Sequence, residues 1–151
     1  MKTLTLILAI LASILVPTAA AAAPTGGCQV KELASEALSS LQETRTEVRV
    51  VTRAQMDQGS EGVAAYADVD LIVFADDLPC RYVKATTAHE VAHVWQLRSG
   101  DEDYTVDDEY VADCVASTTG WEDYAPYLTQ RGYACTDAEL ATASALKGWA
   151  K

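Results

Sequence analysis

A chain of 151 residues is enough for one domain with a modest core. Its formal net charge of −11 makes nucleic acid or an anionic membrane a poor partner, and reads instead as solubility outside a cell. Four cysteines and only two histidines leave few ways to build a metal site or a disulfide frame.

Met1-Lys2 gives a short positive start, Leu4 to Val16 is an apolar run, and Ala19 to Ala23 offers small-residue cleavage sites. Together they read as a secretory signal peptide over residues 1–23. The run is short for a transmembrane helix, and no second run of that length follows. The mature chain, residues 24–151, loses Lys2 and stands at −12. It is expected to be a single domain, monomeric and free of the membrane. A lipid on Cys28 is disfavoured, because Thr25-Gly26-Gly27 lacks the apolar residue such a site needs. Cys28, Cys80, Cys114 and Cys135 all follow the leader, and an even count in an exported chain points to two disulfides. Proximity and element order favour Cys114–Cys135 and Cys28–Cys80 among the three pairings. The spacings are unlike the paired C-x-x-C of a thiolate zinc site.

Val30 to Thr44 carries Val30, Leu33, Ala34, Ala37, Leu38 and Leu41 on one helical face. Val48 to Thr52 is a β-rich strand, and Asp57 to Gly62 a turn cluster. Val63 to Ala67 and Leu71 to Ala75 are short apolar runs that Asp68-Val69-Asp70 would join as a hairpin. The sheet is therefore expected to be antiparallel, with Leu71 to Phe74 as an edge open to an added peptide strand. A helix capped near Thr86 or Thr87 should end at Gly100. After the acidic loop Asp101 to Asp103, which lacks a calcium-loop pattern, Thr105 would cap a helix running to about Thr119 with Gly120 as its stop. Asp123 to Gly132 reads as a third helix with Pro126 in its first turn. Thr136-Asp137-Ala138-Glu139 is a capping box opening a last helix to Trp149. Helix, strands, then an α-rich half: the fold class is α+β.

The chemistry concentrates in His89-Glu90-Val91-Ala92-His93. On a helix, residues four apart share a face, so two imidazoles can grip one ion while Glu90 stands at the edge of the same site. A catalytic zinc site takes three protein ligands and leaves room for water. Both histidines are already used, so the third ligand is a carboxylate, a cysteine or nothing. The extended H-E-x-x-H-x-x-G-x-x-H form is absent, because Gln96 and Ser99 hold its last two positions. Downstream, Glu109 and Asp113 are again four apart. Measured along the helices from the intervening loop, His93 and His89 lie at roughly 10 and 16 Å, and Glu109 and Asp113 at roughly 6 and 12 Å. In an antiparallel pair Glu109 falls nearest His93, placed to be the third ligand. Asp113 falls nearest His89, placed to accept a hydrogen bond from its outer nitrogen. Spacing alone leaves Asp113 open as the ligand. Tyr104, Tyr110 and Tyr133 are candidates to stabilise an oxyanion, although packing is the commoner role for each. Trp95 and Trp121 read as core, and Gln96 is a candidate to cap or line the site, although a plain polar helix position is the commoner role.

H-E-x-x-H followed by E-x-x-A-D resembles the gluzincin metallopeptidases. More narrowly, His89 to Gln96, Glu109 to Ala116 and Gly120-Trp121 are similar to the H-E-x-x-H-x-x-Q, E-x-x-A-D-C-x-A and following tryptophan of bacterial neutral zinc metallopeptidases. The resemblance covers residues 89–121. It implies a small zincin-like domain with Zn2+ at His89, His93 and Glu109, and Glu90 as general base in hydrolysis of a peptide or protein substrate. The expected function is thus a secreted zinc endopeptidase. The alternative is an extracellular zinc-binding module without turnover, an inhibitor, effector or cell-wall-associated binding protein.

Overall fold

The structure, a computed structural model, describes residues 28–58, 63–100, 106–121 and 134–150. The signal peptide, Thr105, the acidic loop Asp101 to Asp103 and the helix expected over Asp123 to Gly132 lie outside the described residues. The architecture is α+β: α1 (Val30–Ser40), β1 (Glu47–Val51), α2 (Arg53–Asp57), β2 (Ala65–Asp68), β3 (Leu71–Ala75), α3 (Cys80–Ser99), α4 (Val106–Ser117), α5 (Asp137–Leu146) and a closing 3-10 turn (Lys147–Trp149).

Local chemistry explains most boundaries. Gly100 ends α3 at φ 87, a left-handed position that an L side chain would occupy only with strain. Thr136 and Glu139 form the expected capping box of α5, and Thr52 and Gln55 form a second one that starts the unforeseen short helix α2. The start of α3 departs from expectation. The helix begins at Cys80 with Pro79 as its cap, so Thr86 and Thr87 lie inside it. The buried Thr87 hydroxyl donates to the Val83 carbonyl at 2.7 Å, which satisfies the group that a cap would have used.

The sheet is mixed, not antiparallel, with order β1-β3-β2. β2 and β3 form the expected hairpin, closed by Val69-Asp70. β1 lies parallel to β3, with Glu47 opposite Leu71 and Val51 opposite Ala75. The stretch from Thr52 to Asp70, holding α2 and β2, is long enough for the crossover that a parallel pair requires. β3 is therefore central, and the expectation that Leu71 to Phe74 is a free edge is corrected. Its alternation serves two layers. Ile72 and Phe74 join the main core with Val48, Val91, Val94 and Trp95, while Val73 and Ala75 meet Met56 of α2 on the other face.

α3 is the axis of the domain, in contact with α1, the sheet, α4 and α5. Every residue from Glu90 to Gln96 is buried, so its middle turns are largely covered by packing. Both favoured disulfides form. Cys28–Cys80 ties the lead-in to α1 to the first residue of α3, with Cα atoms 5.2 Å apart, and Cys114–Cys135 ties α4 to the lead-in to α5 at 5.8 Å. No free cysteine remains, which removes both the thiolate site and a lipid on Cys28. Two such bridges indicate an oxidising environment. No helix among the described residues is long and apolar enough to cross a membrane.

A second buried polar group holds the far end of α3. Glu43, just after α1, accepts hydrogen bonds from Trp95 Nε1 at 2.9 Å, Arg98 Nη1 at 2.7 Å and the backbone N–H of Arg45 and Thr46 at 2.8 and 3.1 Å. Arg98 also donates to Asp70 Oδ1, the Val69 carbonyl and the Thr46 hydroxyl. Burial would raise the Glu43 pKa, but the bonds from Arg98, Trp95 and the Arg45 N–H hold it below the usual carboxylate value. The cluster fixes the hairpin turn and the α1–β1 connection to the end of α3.

Candidate metal centre

Helical spacing brings the two imidazoles of α3 together, with ring centroids 4.8 Å apart and ring planes near perpendicular. α4 then delivers Glu109 to the same point. His89 Nε2 and His93 Nε2 are 3.1 Å apart, Glu109 Oε2 lies 3.3 Å from His89 Nε2, and Glu109 Oε1 lies 3.6 Å from His93 Nε2. Ligand atoms on a tetrahedral ion with bonds of ~2.0–2.1 Å stand roughly 3.3–3.4 Å from one another. The triangle therefore has the size of one face of such a coordination shell, and the His89, His93, Glu109 group can hold a metal ion.

The outer ring nitrogens decide what the inner ones offer. A carboxylate only accepts, so His89 Nδ1–H donates to Asp113 Oδ1, at 2.9 Å. Gln96 Nε2 donates to the Asp108 carbonyl at 3.2 Å and to Asp108 Oδ1 at 3.3 Å. Its Oε1 is then the end that faces His93, and accepts from Nδ1–H at 2.7 Å. Both Nε2 atoms consequently face the Glu109 carboxylate, each as a lone pair when its imidazole is neutral and as an N–H donor when it is protonated. Three acceptors cannot crowd to 3.1–3.6 Å without positive charge among them. That charge is either a proton or a metal ion.

The titration of the groups agrees. Burial would lower the His89 pKa, but hydrogen bonds to Asp113 and Glu109 and the nearby Glu90 push it up to about 10. Burial and the charge on His89 lower His93, against the Gln96 bond. The His89 hydrogen bond lowers Glu109 despite its partial burial. Metal binding at such a site would displace the proton that His89 otherwise retains.

Glu90 is different. It is only 6% exposed, and no hydrogen bond or ion pair to its carboxylate occurs among the described residues. Burial, with the Glu109 charge beside it, raises its pKa to about 7 against the pull of His89. The Glu109 side chain is 45% exposed, so the triad opens to solvent on the α4 side.

The structure thus brings together His89, His93, Glu109 and Asp113, with Glu90 buried on the same turn as His89. Asp113 touches His89 and is itself buried. Among the tyrosines, Tyr104 and Tyr133 lie outside the described residues, and Tyr110 is half-buried on α4 beside Glu109. Trp95 is core, as expected, and its indole also serves Glu43. Gln96 is the residue undervalued from sequence. Its signal was the three-residue spacing from His93, which puts both on one helix face.

Fold and site define an α+β chain with a two-imidazole, one-carboxylate group that could hold a cation. No protein-family model, curated protein or solved structure matches the chain.

Proposed function

We propose that the chain is a secreted zinc-dependent endopeptidase. The observation that carries this reading is the convergence of His89, His93 and Glu109 next to a buried Glu90 carboxylate that has no partner among the described residues. Two imidazoles and one carboxylate suit zinc and leave a coordination position for water or substrate. Zinc held there would supply Lewis-acid activation of water and of a peptide carbonyl.

The chain's own residues supply the rest. Glu90 is placed to accept the proton of an attacking water and to return it to the leaving amine. Its pKa near the middle of the physiological range matches a group that must do both. Asp113 and Gln96 hold the two imidazoles in one tautomer, and burial of the α3 face keeps competing water away. β2 is an outer strand of the sheet among the described residues, and an extended substrate would add there by backbone hydrogen bonds. The disulfides and the leader-like first residues support export.

The test is cleavage of a broad unfolded-protein substrate by wild type and Glu90→Gln, with and without chelator. Wild type is expected to cleave only with metal. Glu90→Gln is expected to bind zinc and to cleave 10²–10⁴-fold more slowly, roughly the worth of a general base. Equal background from both proteins would end the enzyme reading. Zinc uptake by a wild type that never cleaves would leave the non-catalytic binding module.

A further inference from the structure

We infer that Gln96 is a positioning residue for the metal centre, a two-ended clamp that locks the His93 tautomer and ties that ring to the first turn of α4. This deepens the metal-site reading and rests on it for its consequence in metal affinity, but the clamp has a signature of its own.

The argument is one of hydrogen-bond direction. Gln96 is 6% exposed and spans from His93 Nδ1, at 2.7 Å, to the carbonyl and carboxylate of Asp108, at 3.2 and 3.3 Å. One end must accept and the other must donate. Among buried side chains of this length, only an amide does both without charge. A glutamate there could accept from His93 but would set a second carboxylate against Asp108. A lysine or arginine could donate to Asp108 but not accept from His93. A methionine would fill the volume and do neither. Asparagine is one methylene too short to reach from the same backbone position.

The consequence reaches the metal ligands through two routes. With Nδ1–H committed to Gln96, the His93 Nε2 carries the lone pair that faces Glu109. Because Asp108 precedes Glu109 in the first turn of α4, the same amide also sets how that turn sits against α3. His89 is held by a carboxylate from the middle of α4, Asp113. The two ligands of α3 are therefore each anchored to α4, one through a charged bond and one through a neutral relay. The neutral amide adds no negative charge of its own to a site that already holds Glu90, Asp108, Glu109 and Asp113.

The experiment uses the full mature chain with Zn2+ and Co2+ as probes. Long-range 1H–15N spectra of metal-free protein read the tautomers directly, and two histidines in the chain make two ring systems to assign. Wild type should show His93 protonated at Nδ1. Gln96→Met should keep the fold and lose that preference. Its Zn2+ affinity, by chelator competition, should fall about 10–100-fold, as for loss of other outer-shell partners, with an altered Co2+ visible spectrum. Gln96→Glu should keep the tautomer and bind Zn2+ more tightly than Gln96→Met. If Gln96→Met does not fold, Gln96→Asn carries the same test and should also lose the tautomer. Wild-type tautomer and affinity in the Met or Asn variant would overturn the inference, as would Gln96→Glu behaving no better than Gln96→Met. A wild type that shows the locked tautomer but takes up no Zn2+, with the lock lost in Gln96→Met, would sink the metal reading and leave the clamp standing.

Discussion

Two groups of buried charge hang from α3, and they are resolved in opposite ways. At the C-terminal end, Glu43 meets Arg98, Trp95 and two backbone N–H groups, and Arg98 meets Asp70 in turn. Opposite charges lie against each other and the donors match the acceptors. In the middle of the helix, two imidazole Nε2 atoms and a carboxylate face one another, with Glu90 buried beside them. The first group needs nothing from outside the chain. The second needs a positive charge at its centre, a proton on His89 or a bound cation. Buried charge paired with its opposite stabilises or specifies a fold, whereas a cluster of titratable groups with shifted pKa values is a candidate functional site.

This contrast can be broken from either side. The largest stability effect is expected from Arg98→Met, which strands Glu43 without its main counter-charge. Loss of one partner of a buried pair costs about 3–5 kcal/mol, readable as a lower urea midpoint. A loss under ~1 kcal/mol would class the pair with ordinary surface bridges. Glu90→Gln should move the other way. In metal-free protein above neutral pH it removes a buried charge without a partner among the described residues, and stability should rise by on the order of 1–3 kcal/mol, readable as a higher urea midpoint. Destabilisation by this change would mean that Glu90 is held in place and is not poised for chemistry.

The smallest effect sharpens the comparison through pH. The Glu43 pKa is lowered in the folded protein. The unfolded state therefore binds its proton more readily, and stability from this group is present above the ordinary carboxylate value of ~4.5 and lost as pH falls below it. Wild type should lose more stability than Glu43→Gln between neutral pH and ~pH 3. Parallel losses would remove Glu43 from the acid response.

The elements legible in the sequence were those written in short-range chemistry. Residues four apart must share a helix face, so the pairing of His89 with His93 and of Glu109 with Asp113 was visible before any coordinates. Capping at Thr136 and termination at Gly100 were visible for the same reason. The start of α3 was not, because a threonine inside a helix and a threonine at its cap differ only in which carbonyl or N–H the hydroxyl finds. α2 was missed because its capping box, Thr52 with Gln55, lies in a stretch too short to show a helical period.

The sequence by itself determined which side chains could meet along one helix, since backbone geometry sets that distance whatever the rest of the chain does. Only the tertiary structure decided which partners arrive from elsewhere. The parallel pairing of β1 with β3, the reach of Glu43 to Arg98 and Trp95, and the run from His93 through Gln96 to Asp108 all join positions whose separation is fixed by packing around α3. Hydrogen-bond complementarity between distant residues leaves no period in the chain. It exists only once burial of the apolar faces has brought them within reach.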